Sequence, residues 1–265
     1  MRTIKKPSEP TELTAHTIPA ANADRTPHRR WYFLVAAALI VVGLVCWLGF
    51  SMRASHSSDR RFLQPFLDSK KPIICISHPN AYNLSPHGPR GKGDAQEALR
   101  LRDHLLHLGR SSRIGLAQDI TVEDLSSSPM IIVGGPRFNH WTATLTQDLR
   151  FAFDIVDNKP RIYDRFIPSR FWTDPEITTP QTGQGYVVIT RLLPTEHRKA
   201  VLCVAGLRAV DTRAGTQVVS DTRALNDLLK NAPDDWAGKN LQWVLYVANR
   251  NQAQPQVELR AATYW

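Results

Sequence analysis

Residues 31–50, WYFLVAAALIVVGLVCWLGF, run for 20 positions without a charge. As a helix rising 1.5 Å per residue, the run spans roughly 30 Å, the thickness of a bilayer's hydrocarbon core. Eleven of the 20 are Leu, Ile, Val or Phe. At about −0.3 to −0.6 kcal/mol each they favour insertion by about 3 to 7 kcal/mol. Trp31, Tyr32 and Trp47 suit the two interfaces, and HRR before and MR after suit the headgroups. A buried soluble helix would keep a polar face, and this one has none. The apolar run is too long and starts too late for a cleavable signal peptide. Val45 before Cys46 is not the small residue that lipid attachment there would need. The reading is a signal anchor.

That segment divides the chain. Residues 1–30 are expected to be a disordered cytoplasmic tail, 31–50 a transmembrane helix, 51–71 a juxtamembrane connector and 72–265 an extracytoplasmic domain. Residues 1–61 carry nine basic and four acidic side chains, net +5, and the remainder 24 and 20, net +4. The pI of 9.7 therefore owes more to the membrane flanks than to the globular part. No basic stripe with interleaved aromatics is visible there, so no nucleic-acid partner is expected. Lys and Arg within reach of the helix are nearly balanced, and the basic tail favours tail-in orientation. The expected location is the inner (cytoplasmic) membrane, single-pass, with the C-terminal domain periplasmic. Its partners are then the lipid bilayer and either a small ligand or an envelope protein.

Alternation of strand and helix signals begins at Pro72. PIICIS (72–77), MIIV (130–133), 186–193, 200–205, 241–248 and 257–264 read as strands, with 194–199 a hairpin turn. Strands at 151–156 and 161–165 flank a polar turn. Helices are expected from Asp94, which has capping-box spacing to Glu97, with Ala98, Leu101, Leu105 and Leu108 inward and Gly109 as stop. Shorter ones are expected at 142–149 and 221–230. The fold class is α/β, a mixed sheet with flanking helices, preceded by one transmembrane helix.

Candidate ligand-binding residues lie on glycine-bearing loops after strands. GGPRFNHWT (134–142) offers Gly134 and Gly135 for close backbone approach, Arg137 for an anion, Asn139 and His140 for hydrogen bonds, and Trp141 for stacking. The competing account is a tight turn with a helix cap whose aromatics plug the core. Gly93-Asp94 forms a second approach, but Gly93 stands where a Walker loop needs Ser or Thr after Lys92. Gly206 and Gly215-Thr216 suggest a third loop. All three together would line one crevice.

Catalytic and metal signals are poor. There is no HExxH and no GxSxG, so no metal or cofactor is expected. His104 and His107 read as solvated, and Asp154 and Asp164 as neighbouring strand carboxylates. Cys75 and Cys203 allow one disulfide, or two small buried side chains in neighbouring strands.

The combination of GD opening a helix (Gly93, Asp94), IIVGGPRFNHWT followed by LRF (Leu149–Phe151), GYVVITR (Gly185–Arg191) and VAG followed by GT (Gly206, Gly215, Thr216) carries a resemblance. Residues 70–265 resemble the uncharacterised extracytoplasmic domain that follows the transmembrane helix in acidobacterial membrane-anchored winged-helix regulators and related proteins. Thirty residues before the apolar segment cannot hold a winged helix. The resemblance implies tail-in topology and an outer α/β domain, and carries no catalytic residues. The functional expectation is a single-pass membrane protein with a sensor-like or accessory domain that binds a ligand or partner. The alternative is a membrane-tethered enzyme, possibly a hydrolase, although no residue set argues for one.

Overall fold

The computed structural model describes residues 27–68, 71–77, 92–157, 159–174, 183–249 and 255–265. The tail before residue 27 and the turn-rich stretch 78–91, including His78, lie outside these. The chain groups into two units, residues 1–50 and 51–265.

The first unit holds most of helix α1 (Pro27–Leu67). Every described side chain from 34 to 47 is exposed, Leu34, Leu39, Ile40 and Trp47 by about two-thirds each. Among the described residues no helix is long and apolar enough to cross a membrane. The described side chains of the apolar run are those of 34–47 alone.

The second unit is built on runs such as IICI, MIIV and VLCVAG, which have no polar face and must be covered on both sides. They form β1 (Ile73–Ile76), β3 (Met130–Val133) and β8 (Val201–Gly206), every residue buried. With β2 (Arg113–Leu116), β7 (Gly185–Leu192), β9 (Leu241–Ala248) and β10 (Gln256–Tyr264) they make a seven-stranded mixed sheet in the order β10-β9-β7-β8-β3-β1-β2. Strands β2, β1, β3 and β8 run parallel. Strand β7 turns back as the expected hairpin with β8, and β9 and β10 close the sheet as antiparallel neighbours. The mixed α/β architecture with flanking helices is thus present.

Alternate residues of each strand feed two cores. On one face Ile74, Ile131, Leu202, Ile189 and Trp243 pack beneath α2 (Lys92–His107), α5 (Ala209–Ser220) and α6 (Thr222–Leu229). The end of α1 joins them: Phe62, Leu63 and Phe66 are buried here. Asp59, also buried, meets His104 of α2 at 3.1 Å and Thr222 of α6 at 3.4 Å. The stretch expected as a connector therefore supplies core, because its apolar residues recur at helical spacing. His104 is likewise paired, not simply solvated.

On the opposite face α3 (Val122–Ser127) and α4 (His140–Thr146) cover Ile73, Met130, Ile132 and Val201. A three-stranded antiparallel sheet, β4 (Phe151–Val156), β5 (Lys159–Asp164) and β6 (Ile167–Thr173), covers the rest. Gln242 of β9, fully buried, joins the two sheets: its amide donates to Phe151 O (3.0 Å) and Thr190 Oγ1 (3.1 Å) and accepts from Phe151 N (3.0 Å). Asp154 and Asp164 do not pair across strands. Each takes arginine, Asp154 from Arg161 and the buried Asp164 from Arg150 and Arg170. The register decides this, since Asp154 stands opposite Arg161 and Asp164 opposite Phe151.

Two further corrections concern packing. Cys75 and Cys203 are free and are not in neighbouring strands: Ile132 of β3 stands between them, opposite both. Two inter-strand spacings, roughly 9–10 Å, exceed disulfide reach. Gly215 and Thr216 are not in a loop but in the middle of α5, both buried. A Cβ on Gly215 would stand 2.7 Å from side-chain carbons of both Val187 and Val204, so the glycine lets α5 lie close on the sheet.

Arg191 of β7 is fully buried. Its guanidinium donates to the carbonyls of Phe62 (3.3 Å), Trp236 (2.8 Å), Ala237 (3.1 Å) and Lys239 (2.7 Å), and lies over the rings of Phe62 and Trp236. Burial pulls its pKa down to about 10. The side chain ties the end of α1 and the 236–238 turn to the sheet.

Three outcomes follow from this packing. Gly215→Ala, although Ala is the better helix former, is expected to destabilise by about 1–3 kcal/mol through overpacking, read as a lowered urea midpoint. Arg191→Met is expected to cost about 3 kcal/mol or more, because several buried carbonyls lose their donor together. Burial pushes the Cys75 thiol up to about 11 and the Cys203 thiol up to about 12. Neither should react with a thiol reagent in the native protein, and all three cysteines should titrate in denaturant without reductant.

Candidate functional site

In an open α/β sheet, ligands settle beyond the carboxyl ends of the strands, where successive crossovers leave for opposite faces. Here β1 is followed by α2 on one face, and its neighbour β3 by α4 on the other. The switch point lies between Ser77, which follows β1, and Gly134, which follows β3.

Gly134 has φ +116°, a conformation suited to glycine. A Cβ there would stand 2.6 Å from Ser77 Oγ and 3.2 Å from Asp94 Oδ2. The absent side chain lets a hydroxyl from the β1 end and a carboxylate from the first turn of α2 converge over the β3 end. Gly135 comes within 2.9 Å of Gly206 O by the same measure, and Gly206 leaves no room for a side chain against Thr212 N. The Gly206 amide donates to Thr212 Oγ1 (3.0 Å), and Asp211 accepts from Arg208 N (3.0 Å), fixing the start of α5. The loops after β3 and β8 and the start of α2 thus do meet, as three of the sequence candidates require.

The remaining candidates divide. Asn139 is completely buried and its side chain is engaged: Oδ1 caps α4 by accepting from Trp141 N (3.1 Å), and Nδ2 donates to Val133 O (3.3 Å). Trp141 is buried and donates from its ring nitrogen to Ala117 O (3.0 Å). For these two the turn-and-cap account holds. Arg137 and His140 are exposed, with Arg137 over the Phe138 ring and His140 beside Trp141. Thr216 is buried in α5 one turn beyond Thr212, to whose carbonyl its hydroxyl donates (2.9 Å). Gly93 falls in α2, whose helical turns begin at Lys92, so Asp94 lies in the first turn and not at the cap.

Two further residues stand out, Ser77 in this cluster and Glu97 one turn beyond Asp94 on α2. Ser77 is 3% exposed, and its hydroxyl has no hydrogen-bond partner. Glu97 is 2% exposed; its Oε2 accepts from Arg100 (3.2 Å), while Oε1 has no partner. Both violate the rule that buried polar atoms are satisfied, which marks them for explanation. Burial holds the Glu97 carboxyl above its ordinary range, against the pull of Arg100 and Arg213, and Asp94 pushes the same way as burial. A sequence signal existed for Glu97. It precedes Leu101 by four and Leu105 by eight, on the inward stripe of α2.

Among the described residues no group of three or more His, Cys, Asp or Glu is placed to hold a metal ion. A depression of about 480 Å³ between β9 and β10, lined by Tyr246, Ala248, Gln256, Val257 and Glu258, lies away from this cluster. It lacks buried unsatisfied groups.

The titration of Glu97 has a definite sign. Its folded-state pKa is raised from 4.5, so above that pH the native state holds more proton than the unfolded chain and stability falls as pH rises. Relative to Glu97→Gln, the melting temperature of the wild type is expected to drop between pH 4 and pH 7. In comparisons with known proteins, no family model matches the chain and no curated protein is significantly similar to it in sequence.

Proposed function

We propose that the chain is a single-pass, membrane-anchored protein whose α/β unit binds a small polar ligand at the β1/β3 switch point. The observation that carries the binding site is Ser77: a nine-tenths-buried hydroxyl, unpartnered, beside a glycine that keeps the space over β3 open to polar groups. A group so placed costs about 1–3 kcal/mol unless something fills its bonding capacity. A ligand hydrogen bond would do so.

The anchor rests on the uncharged run 31–50 and on the apolar side chains exposed from 34 to 47, a surface that water penalises and lipid accepts. The resemblance of residues 70–265 to the domain following the transmembrane helix of acidobacterial winged-helix regulators supports the same topology: tail in the cytoplasm, α/β unit outside.

A membrane-tethered enzyme is the second reading, and one observation favours it. A buried carboxyl with its pKa held up by desolvation, as at Glu97, is the kind of group that gives or takes a proton in catalysis.

The full-length chain is expected in the membrane fraction, released by detergent and not by carbonate, and a phosphatase fused after Trp265 should be active. Cytoplasmic fluorescence from a C-terminal fusion would overturn the topology. Against a metabolite panel, a ligand-induced melting shift of the detergent-solubilised protein should vanish in Ser77→Ala and persist in Arg137→Ala. A shift unchanged by Ser77→Ala would remove the switch point. Turnover of a panel compound, lost in Glu97→Gln, would establish the enzyme reading.

A further inference from the structure

The character of the switch-point cluster limits what it can take. At the start of α2, where a helix N-terminus would otherwise attract phosphate, the chain places its own carboxylates, Asp94 and Glu97, one turn apart on the inward face. An anion there would meet like charge. Arg100 pairs with Glu97 at 3.2 Å, and Arg213 draws on the same carboxylate while Asp94 repels it. Glu97 already has a guanidinium partner in Arg100, so the group asks for no further cation, and an uncharged ligand adds no charge to be compensated in a buried place. Among the described residues, Ser77 Oγ and Glu97 Oε1 lack partners. Glu97 Oε1 is an acceptor, and Ser77 Oγ both accepts and donates. They ask for a ligand that supplies O–H donors and can also accept.

Resting on the switch-point reading above, we propose that the ligand is an uncharged polyhydroxyl compound of the sugar or polyol class, held through its hydroxyl groups by Ser77 Oγ and Glu97 Oε1. Glu97 is the specificity-determining residue. A hydroxyl donated to its carboxylate gives a charge-assisted bond, roughly twice as strong as a neutral one. Ser77 supplies the second contact from the strand end.

The test is titration calorimetry on the full-length chain in detergent micelles, with four probes: D-ribose, myo-inositol, inorganic phosphate and putrescine. Binding of ribose or inositol is expected, weakened about tenfold by Ser77→Ala and by Glu97→Gln, with no heat from phosphate or putrescine. Glu97→Gln keeps the side-chain shape, and an unchanged far-ultraviolet spectrum and a cooperative melt establish that each variant is folded. Phosphate or putrescine binding that depends on Ser77 would overturn the polyhydroxyl class while leaving the switch point intact. Polyol binding indifferent to both substitutions would overturn the assignment of these residues. Absence of heat from both ribose and inositol would overturn the proposal, and the metabolite panel would then decide the switch-point reading separately.

Discussion

Strands β1, β3 and β8 have no polar face, and that constraint governs the molecule. A sheet whose central strands are apolar on both sides must be roofed twice. The chain does so with α2, α5, α6 and the end of α1 on one side, and with α3, α4 and a small antiparallel sheet on the other. Covering both faces forces successive crossovers to diverge. Divergence between β1 and β3 opens the strand ends at Ser77 and Gly134, where Asp94 also converges.

Polar groups inside this apolar frame fall into two kinds. Gln242, Arg191, Asn139 and Asp164 are buried with partners, and each joins elements that hydrophobic contact alone would leave free to slide. Gln242 joins sheet to sheet, Arg191 joins the α1 end to β7, and Asn139 joins α4 to the β3 end. Ser77 Oγ and Glu97 Oε1 are buried without partners.

The strands most legible in the sequence were those whose burial is continuous or strictly alternating: IICI, MIIV, GYVVITRL and LQWVLYVA. What escaped was short or weakly patterned. RIGL is half-exposed at the sheet edge, and β6 is mostly solvated. Helix α3 carried a readable capping box, Thr121 to Asp124, but at six residues offered too little periodicity. Helix α5, AVDTRAGTQVVS, is poor in helix formers and holds its shape by lying on β7 and β8, a contact that Gly215 permits. At the site, the glycines read as points where a backbone could approach a ligand, and the structure brings Ser77 Oγ and Asp94 Oδ2 close to Gly134 and Gly206 O close to Gly135. Asn139 and Trp141 read either as ligand-facing or as cap and plug, and the structure makes them cap and plug, because motif composition does not say which way a side chain turns.

By itself, the sequence determined the uncharged 20-residue run, the two-sided burial of the central strands, the inward stripe of α2 and the glycines that follow β3 and end β8. These follow from local chemistry: hydropathy, period and the absence of a Cβ. Tertiary structure alone decided that the end of α1 belongs to the core, that Ile132 separates the two cysteines, and that Ser77 and Asp94 converge over Gly134 at the switch point. Those facts depend on which strands become neighbours, and neighbourhood in a sheet is set by how crossovers distribute over its two faces, not by any residue's own preference.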